Sequence, residues 1–240
     1  MVRTDHVLIT CEHGGNRIPP RYRPLFAGFE GLLPTHRGYD PGALSVARKL
    51  ARVLRAPLFV STTSRLLIDL NRSIGHPRLY SEATRQAPAD VRREILAAHY
   101  LPYREKVEAH IADTIAHGGR VIHVSSHSFT PVLDGDVRNA DIGLLYDPAR
   151  AGEAELCRLW QARLTACARD LKVRRNYPYT GRSDGLTAHL RRRFPDAVYI
   201  GIELEINQKH ILQGGRRWRA LQELAIEALH QAMTDRGFQN

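Results

Sequence analysis

The sequence predicts an α/β protein in which helices cover a wound sheet. Short apolar runs alternate with longer segments whose apolar residues recur every three or four positions, and this alternation is typical of strands and helices packed in layers. Two of the apolar runs also lead into a histidine, His13 and His127. Open α/β sheets bind ligands at the ends of their strands, so these histidines indicate a functional site.

Length and composition are those of an ordinary globular chain. The 240 residues are 43% hydrophobic and 25% charged, which allows one substantial core, and no repeat or linker divides them. We therefore predict a single domain over residues 1–240. No apolar run is long enough to span a bilayer, and residues 1–6 lead into a strand pattern without a signal-peptide hydrophobic region. The expected location is the cytoplasm, without a membrane partner.

A net charge of +10 raises the question of nucleic-acid binding. The excess is mostly arginine, scattered in short clusters such as residues 191–193. No aromatic-rich strand or recognised nucleic-acid motif accompanies these clusters. The arginines are expected on solvated helix faces, with no nucleic-acid partner, where their field would draw an anionic substrate inward.

Local patterns in the sequence predict each strand and helix. Strand patterns cover residues 7–11, 58–60, 66–70, 121–124, 142–146 and 198–206. Helical periodicity covers residues 43–54, 91–117, 154–171 and 218–233. The second of these helices is interrupted near Pro102 and ends at a glycine pair. The segments 75–88 and 174–185 are predicted to be loops that shape a pocket, the second with Tyr177, Tyr179 and the substrate contact Arg182 in its lining.

The sequence Asp69-Leu70-Asn71-Arg72, with Arg65 just upstream, carries the most specific chemistry. Apolar residues surround it, so Asn71 and Arg72 are expected at the end of a buried strand. A guanidinium fixed beside an amide on a rigid scaffold can bind a carboxylate through two hydrogen bonds. The motif therefore predicts a clamp for a substrate carboxylate.

Three side chains form a candidate metal set. His13 follows one strand pattern and His127 another, so both are expected at the same edge of the sheet. A catalytic zinc takes three protein ligands and keeps one position open, and either Asp40 or His36 could be the third ligand. Asp40 stands at a helix start, where capping is its alternative role. His123, inside its strand, is predicted to be a hydrogen-bonded core residue.

Glu203 is a candidate general base. It alternates with apolar residues in the last strand pattern, and a carboxylate buried there is costly unless it is paired or lies near a metal. Such a group suits proton transfer from a metal-activated water to a departing amine. Glu205 points to the same face and is the alternative base. An ion pair with an arginine is the alternative role for Glu203.

Together these motifs resemble the N-formylglutamate amidohydrolase family. The similar segments occur in the right order over most of the chain, at residues 11–16, 38–43, 64–72, 124–128 and 201–203. The resemblance implies a three-layer α/β/α fold with a central mixed, mostly parallel sheet, like that of zinc carboxypeptidases and aspartoacylase-type deacylases. Unlike the carboxypeptidase pattern, the chain has no glutamate three residues after His13, where Asn16 stands instead.

The resemblance also implies a role for each candidate residue. The residues implied to hold Zn²⁺ are His13, Asp40 and His127. Those implied to bind the substrate carboxylate are Asn71 and Arg72. Glu203 would be the general acid and base, and Arg65 would be a second anion contact or would polarise the scissile carbonyl.

The implied function is zinc-dependent hydrolysis of an N-acyl amide. The substrate would be a small carboxylate-bearing N-acyl amino acid such as N-formyl-glutamate, and histidine breakdown would be the pathway. Two alternatives stay open. One is a zinc amidase acting on another N-acyl amino acid or on a cell-wall peptide. The other is an anion-binding protein of the same fold without catalysis.

Overall fold

Six strands form the central sheet of the computed structural model, which describes residues 3–237. In chain order the strands and helices are β1 (Asp5–Cys11), α1 (Ala43–Val53), β2 (Leu58–Val60), α2 (Ala89–Ile95), α3 (Leu101–Ala116), β3 (Arg120–Phe129), β4 (Val132–Leu133), β5 (Asp136–Val137), β6 (Ile142–Leu145), α4 (Ala151–Cys167), β7 (Val173–Arg175), α5 (Leu186–Arg193), β8 (Tyr199–Asn207), α6 (Lys209–Gln213) and α7 (Gly215–Asp235). Short 3₁₀ turns at Pro20–Phe26 and Glu30–Leu32 lie in the long connection between β1 and α1.

The sheet is mixed and mostly parallel, as predicted. Its strand order is β2-β1-β3-β8-β6-β7, and within residues 3–237 only the contact between β8 and β6 in this sheet is antiparallel. Strands β4 and β5 form a separate antiparallel hairpin. Helices α1, α4 and α7 pack on one face of the sheet and α3 and α5 on the other. The predicted three-layer α/β/α architecture is therefore confirmed.

Alternation along the strands decides which side chains can meet. In β1, Ile9 packs against the layer that contains α1, and Leu8 packs against the layer that contains α3. By the same alternation, Glu203 and Glu205 share one face of β8. This is the face covered by α5, because Thr187 of that helix hydrogen-bonds Glu203.

Residues 66–70 do not form a strand, so the strand predicted there is wrong. The run is buried, as its apolar residues required, but its backbone turns repeatedly. The amide of Leu67 donates to the carbonyl of Ser64, and the amide of Arg72 donates to that of Asp69. The run packs into a second core under the long loops. A short apolar run determines burial without determining the backbone conformation.

Strand β3 continues to Phe129, well past its predicted end at residue 124. His127 therefore lies inside the strand, near its carboxyl end, rather than after it. His123 lies in the middle of the strand and is fully buried. Its ring nitrogens are 2.8 Å from the hydroxyl of Thr10 and 2.7 Å from that of Tyr199. The prediction of a hydrogen-bonded core histidine is confirmed.

The predicted helices are present and differ mainly at their ends. The pattern over residues 91–117 is α2 and α3, joined by a π-helical turn at Leu96–Tyr100 just before Pro102. Among the described residues, no helix has the length and apolar character needed to cross a membrane. The single domain over residues 1–240 stays a prediction, and residues 1–2 and 238–240 lie outside the described part of the chain.

Candidate metal centre and active site

The carboxyl ends of β1, β3 and β8 meet at a cavity of about 300 Å³. This is the edge of the sheet at which parallel strands end and ligands bind. The predicted site residues that line the cavity are His13, His36, Asp40, Arg65, Asn71, Arg72, His127, Glu203 and Glu205. Residues far apart in the sequence are thus brought to one place.

Arg182 lies outside this cavity. Its exposed guanidinium donates from Nε to Asp147 at 2.8 Å, so its position gives no support to the predicted substrate contact. Tyr179 of the same loop does line the cavity, and the guanidinium of Arg138 lies 4.9 Å from its ring centroid. The loop therefore lines the cavity with the ring of Tyr179 rather than with the predicted cation of Arg182.

Three side chains converge beside the cavity. Ligand atoms of His13, Asp40 and His127 all lie within 4.8 Å of one another, and all three residues are buried. Oδ2 of Asp40 is 3.3 Å from Nδ1 of His13 and 2.8 Å from Nδ1 of His127. Asp40, rather than His36, therefore meets the two histidines. Its carboxylate does not cap α1, whose N-cap residue is Gly42.

The turn after β1 holds His13 in place. Gly14 and Gly15 follow it, and a Cβ on either would come within 2.9 or 2.6 Å of a carbonyl oxygen in the segment after β2. The turn can pack so closely because neither residue has a side chain. Nε2 of His13 lies 2.7 Å from Oδ1 of Asp69. A carboxylate only accepts hydrogen bonds, so Nε2 carries the hydrogen and Nδ1 faces Asp40.

A buried carboxylate orients His127 in the same way. Glu12 is fully buried and accepts hydrogen bonds from the hydroxyls of Ser125 at 2.6 Å and Tyr103 at 2.7 Å. Because Ser125 gives its hydrogen to Glu12, its oxygen can only accept from Nε2 of His127, 2.9 Å away. Nε2 therefore carries a proton, and Nδ1 of His127 faces Asp40.

This arrangement fits a metal ion. Both histidines direct Nδ1 toward Asp40, while the opposite nitrogen of each is hydrogen-bonded, and such outer partners orient metal-binding histidines in many sites. Two imidazoles and a carboxylate are ligand types of catalytic zinc. No role for the outer carboxylates Glu12 and Asp69 follows from the sequence. The one available signal is that each is an acidic residue inside a largely apolar run.

Opposite charges stabilise the cluster. Burial alone would raise the pKa of Asp40, but the charge of His13 and a hydrogen bond from His127 hold it well below its usual range. Burial alone would lower the pKa of His127, but hydrogen bonds to Asp40 and Glu12 raise it well above its usual value. Asp40 therefore stays ionised at neutral pH, which is the form that binds a metal.

Glu12→Gln is expected to weaken zinc binding by about 10–100-fold. An amide cannot accept hydrogen bonds from Ser125, Tyr103 and His127 together, so His127 loses its fixed orientation. Competition with a chromophoric chelator measures the zinc affinity. Tyr103→Phe is the matched control, because it removes one hydrogen bond to Glu12 and leaves the contact with His127. An unchanged zinc affinity in Glu12→Gln would mean that the carboxylate does not orient His127.

Helix α5 and the loop before it hold Asn71 and Arg72 at the cavity wall. Oδ1 of Asn71 accepts from the amide of Leu186 at 2.6 Å. Gly185 favours this approach, because a Cβ there would lie 3.0 Å from the same oxygen. Nη1 of Arg72 donates to the carbonyl of Asp184 at 2.7 Å. Its other guanidinium nitrogens have no hydrogen-bond partner within residues 3–237, so they retain donors for a substrate carboxylate.

Arg65 is engaged by two carboxylates. Its Nη2 lies 2.7 Å from Oδ2 of Asp69, and its Nη1 lies 3.3 Å from Oδ1 of Asp40. Burial would lower the pKa of Arg65, but these two carboxylates raise it well above its usual value. The geometry therefore supports a role in holding both acids in place. The predicted contact of Arg65 with a substrate anion or a scissile carbonyl stays a prediction.

Glu203 and Glu205 both line the cavity but have different surroundings. Oε1 of Glu203 accepts a hydrogen bond from Thr187 at 2.5 Å. Oε2 of Glu205 is buried and has no hydrogen-bond partner among the described residues. Glu205 also lies beside His127 in the parallel pairing of β3 and β8. A buried oxygen without a partner costs free energy, which a ligand at the cavity would offset.

The stability of the metal-free protein should depend on the charge of Glu205. Burial raises its pKa from 4.5 to about 8, so between these values the folded protein keeps a proton that the unfolded chain has released. The free energy of unfolding should therefore fall as pH rises from about 5 to 8, by at most about 1.4 kcal/mol per pH unit from this group.

Urea unfolding in the presence of a chelator, measured across that pH range, tests this dependence. Glu205→Gln should remove the contribution and flatten the curve, whereas Glu105→Gln, at an exposed position on α3, should leave it unchanged. An identical pH slope in the wild type and in Glu205→Gln would contradict the expectation.

Comparisons with known proteins show the family and the fold of the chain. A model of the N-formylglutamate amidohydrolase family matches residues 5–212, whereas comparison with curated proteins gave no match. The solved structure of a gene product from Agrobacterium tumefaciens is 32% identical, with a TM-score of 0.82 over 95% of this chain and 90% of that one. An N-formylglutamate amidohydrolase from Ralstonia eutropha shares the fold at 18% identity, with a TM-score of 0.71 over 98% of this chain and 96% of its own. The chain therefore belongs to the N-formylglutamate amidohydrolase family, a family of amide hydrolases.

Proposed function

We propose that the chain is a zinc-dependent amidohydrolase that removes an N-acyl group from an acidic amino acid, with N-formyl-glutamate as the leading substrate. The observation that carries the proposal is the convergence of His13, Asp40 and His127 beside the cavity. Their geometry suits a metal ion, and the cavity beside them suits a small ligand. The family supports an amide as the bond that is cleaved.

The metal and the clamp would have separate tasks. A zinc ion held by His13, Asp40 and His127 would supply a Lewis acid that activates water and polarises the amide carbonyl. Asn71 and Arg72 would bind the substrate carboxylate and so fix the position of the amide.

We assign proton transfer to a glutamate of β8. The sequence favours Glu203, whereas the surroundings favour Glu205, because Thr187 already donates to Glu203 and Oε2 of Glu205 lacks a partner among the described residues. A zinc ion beside it would favour its ionised form, so that the glutamate would accept a proton from water as the water oxygen bonds to the amide carbon. It would then give this proton to the nitrogen as the C–N bond breaks. The products are a carboxylic acid, formate in the leading case, and the free amino acid.

The first test combines metal analysis with amine release. The purified protein is analysed for metal and then incubated with N-formyl-glutamate, with and without a chelator. We expect about one zinc ion per chain and hydrolysis that the chelator stops and added zinc restores. N-acetyl-glutamate and a muramoyl peptide in the same assay determine the acyl group.

The outcomes separate the parts of the proposal. Zinc without hydrolysis of any N-acyl amino acid would favour an anion-binding protein of the same fold. Hydrolysis that persists in the chelator, with no bound metal, would contradict the metal-dependent mechanism while leaving the amidohydrolase reaction in place.

A further inference from the structure

A second cavity, of about 400 Å³, adjoins the candidate active site. Four residues line both cavities: His36, Arg65, Arg72 and Arg78. The second cavity continues along the loop that follows the carboxylate clamp and reaches Arg85. Arg72 therefore borders both cavities. We call this second cavity the distal compartment.

Positive charge dominates the distal compartment. Arg37 and Arg65 are neutralised there, the first by an ion pair with Glu82 and the second by its carboxylate partners at the metal set. Arg72, Arg78 and Arg85 also line the compartment, and none of them forms an ion pair with any residue in the part of the chain that is described. Three guanidinium groups without carboxylate partners indicate a ligand that brings negative charge.

His36 lies in the positive field of nearby arginines. Burial lowers its pKa, and the charges of Arg37, Arg138 and Arg65 lower it further. Two of the residues that line both cavities, Arg72 and Arg78, are arginines without an ion pair among the described residues. An anionic substrate group placed there would be attracted from several sides.

The loop that carries Arg78 is anchored rather than free. Leu79 is 4% exposed, and its carbonyl accepts a hydrogen bond from the amide of Asp69 at 2.9 Å. Ser81 donates from its hydroxyl to the carbonyl of Leu66 at 2.5 Å. These contacts fix the backbone on the C-terminal side of Arg78, whose own side chain is exposed. A fixed backbone lowers the entropic cost of binding.

We propose that the distal compartment binds a second anionic group of the substrate and that Arg78 is a specificity-determining residue for that group. The inference rests on the proposed function, because the first carboxylate is assigned to Asn71 and Arg72. Arg78 belongs to both cavities and contacts a side-chain carboxylate of the same amino acid. Arg85 belongs only to the distal compartment. It contacts an acidic group carried by a further residue that is joined through the side-chain carboxyl, which leaves the first carboxylate free for Asn71 and Arg72.

Three substrates measured against three variants test this proposal. The substrates are N-formyl-glutamate, N-formyl-glutamine, whose side chain is neutral, and the dipeptide N-formyl-γ-glutamyl-glutamate, in which the second glutamate is joined through the side-chain carboxyl. Arg78→Gln should lower kcat/KM for N-formyl-glutamate about tenfold and leave N-formyl-glutamine nearly unchanged. Arg85→Gln should lower kcat/KM for the dipeptide alone. Arg52→Gln, in the last turn of α1 and outside both cavities, removes the same charge and should change none of them.

The test of Arg78 is whether its substitution slows the substrate with a charged side chain more than the substrate with a neutral one. If Arg78→Gln slowed the glutamate and glutamine substrates equally, or slowed neither, Arg78 would not recognise the second anion. If Arg85→Gln left the dipeptide unaffected, the distal part of the compartment would not be a subsite.

A binding measurement keeps this test independent of catalysis. Calorimetric titration of metal-free protein with glutarate and with butyrate compares a dicarboxylate with a monocarboxylate. The wild type should bind glutarate more tightly, and Arg78→Gln should lose that preference. The wild type could hydrolyse no N-acyl amino acid and still bind glutarate more tightly than butyrate. The proposed function would then be wrong, whereas the anion subsite would be supported. Equal affinity of the wild type for glutarate and butyrate would contradict the proposed anion subsite.

Discussion

Asp40→Asn is expected to lose zinc and, with it, hydrolysis of N-formyl-glutamate. The Asp40 carboxylate is the group that both histidine Nδ1 atoms face, at 3.3 Å for His13 and 2.8 Å for His127. An amide of the same shape is neutral and a much weaker zinc ligand. The loss of zinc affinity should exceed the about 10–100-fold effect expected for an outer partner. Metal content after dialysis, together with kcat/KM, measures both effects.

Asp141→Asn is a matched control for this substitution. Asp141 is also a buried aspartate in contact with a histidine, since its Oδ1 lies 2.8 Å from Nε2 of His210 and 2.6 Å from Nζ of Lys209. It lies outside both cavities. Asp141→Asn should cost stability but keep zinc and turnover. Full zinc content and activity in Asp40→Asn would contradict the metal set itself.

Glu205→Gln is expected to lower kcat by about 10²–10⁴-fold without loss of zinc. Glutamine has the same shape as glutamate but cannot take a proton from water or return one to the leaving nitrogen. Glu203→Gln should have a smaller effect, because Oε1 of Glu203 is already occupied by the hydroxyl of Thr187. Steady-state kinetics at fixed zinc content compares the two variants.

The reverse ranking would assign the base to Glu203, the residue favoured by the sequence. Thr187→Val helps to separate the roles, because it frees Oε1 of Glu203 without changing either carboxylate. If that variant behaves as wild type and Glu203→Gln alone is slow, proton transfer belongs to Glu203. If neither glutamine variant is slow, the proton acceptor does not lie on β8.

Much of the fold could be predicted because it depends on periodicity. The apolar run before His13 and the alternation around Glu203 are local signals, and β1 and β8 occupy nearly the predicted ranges. His123 was also predictable, since a histidine in the middle of an apolar strand must be buried and hydrogen-bonded. In each of these cases neighbouring residues carry the whole signal.

The remaining differences come from contacts between distant residues. The run at residues 66–70 is as apolar as a strand, but it is used to fill a core under the loops. The outer carboxylates Glu12 and Asp69 gain their roles only when β1, β3 and the clamp meet. The sequence predicts Arg182 at the substrate from its loop alone, whereas the fold decides the direction of its side chain, toward Asp147.

Asp69 bears on which substrates could be processed under the proposed function. Its Oδ1 accepts from Nε2 of His13 at 2.7 Å and from the backbone amide of Asn71 at 2.9 Å. One carboxylate oxygen thus ties a residue of the metal set to the first residue of the clamp. Under the proposed function, one side chain would therefore set the distance between the bond to be cut and the bound carboxylate. Substrates in which these two groups are farther apart or closer together would bind poorly at this site.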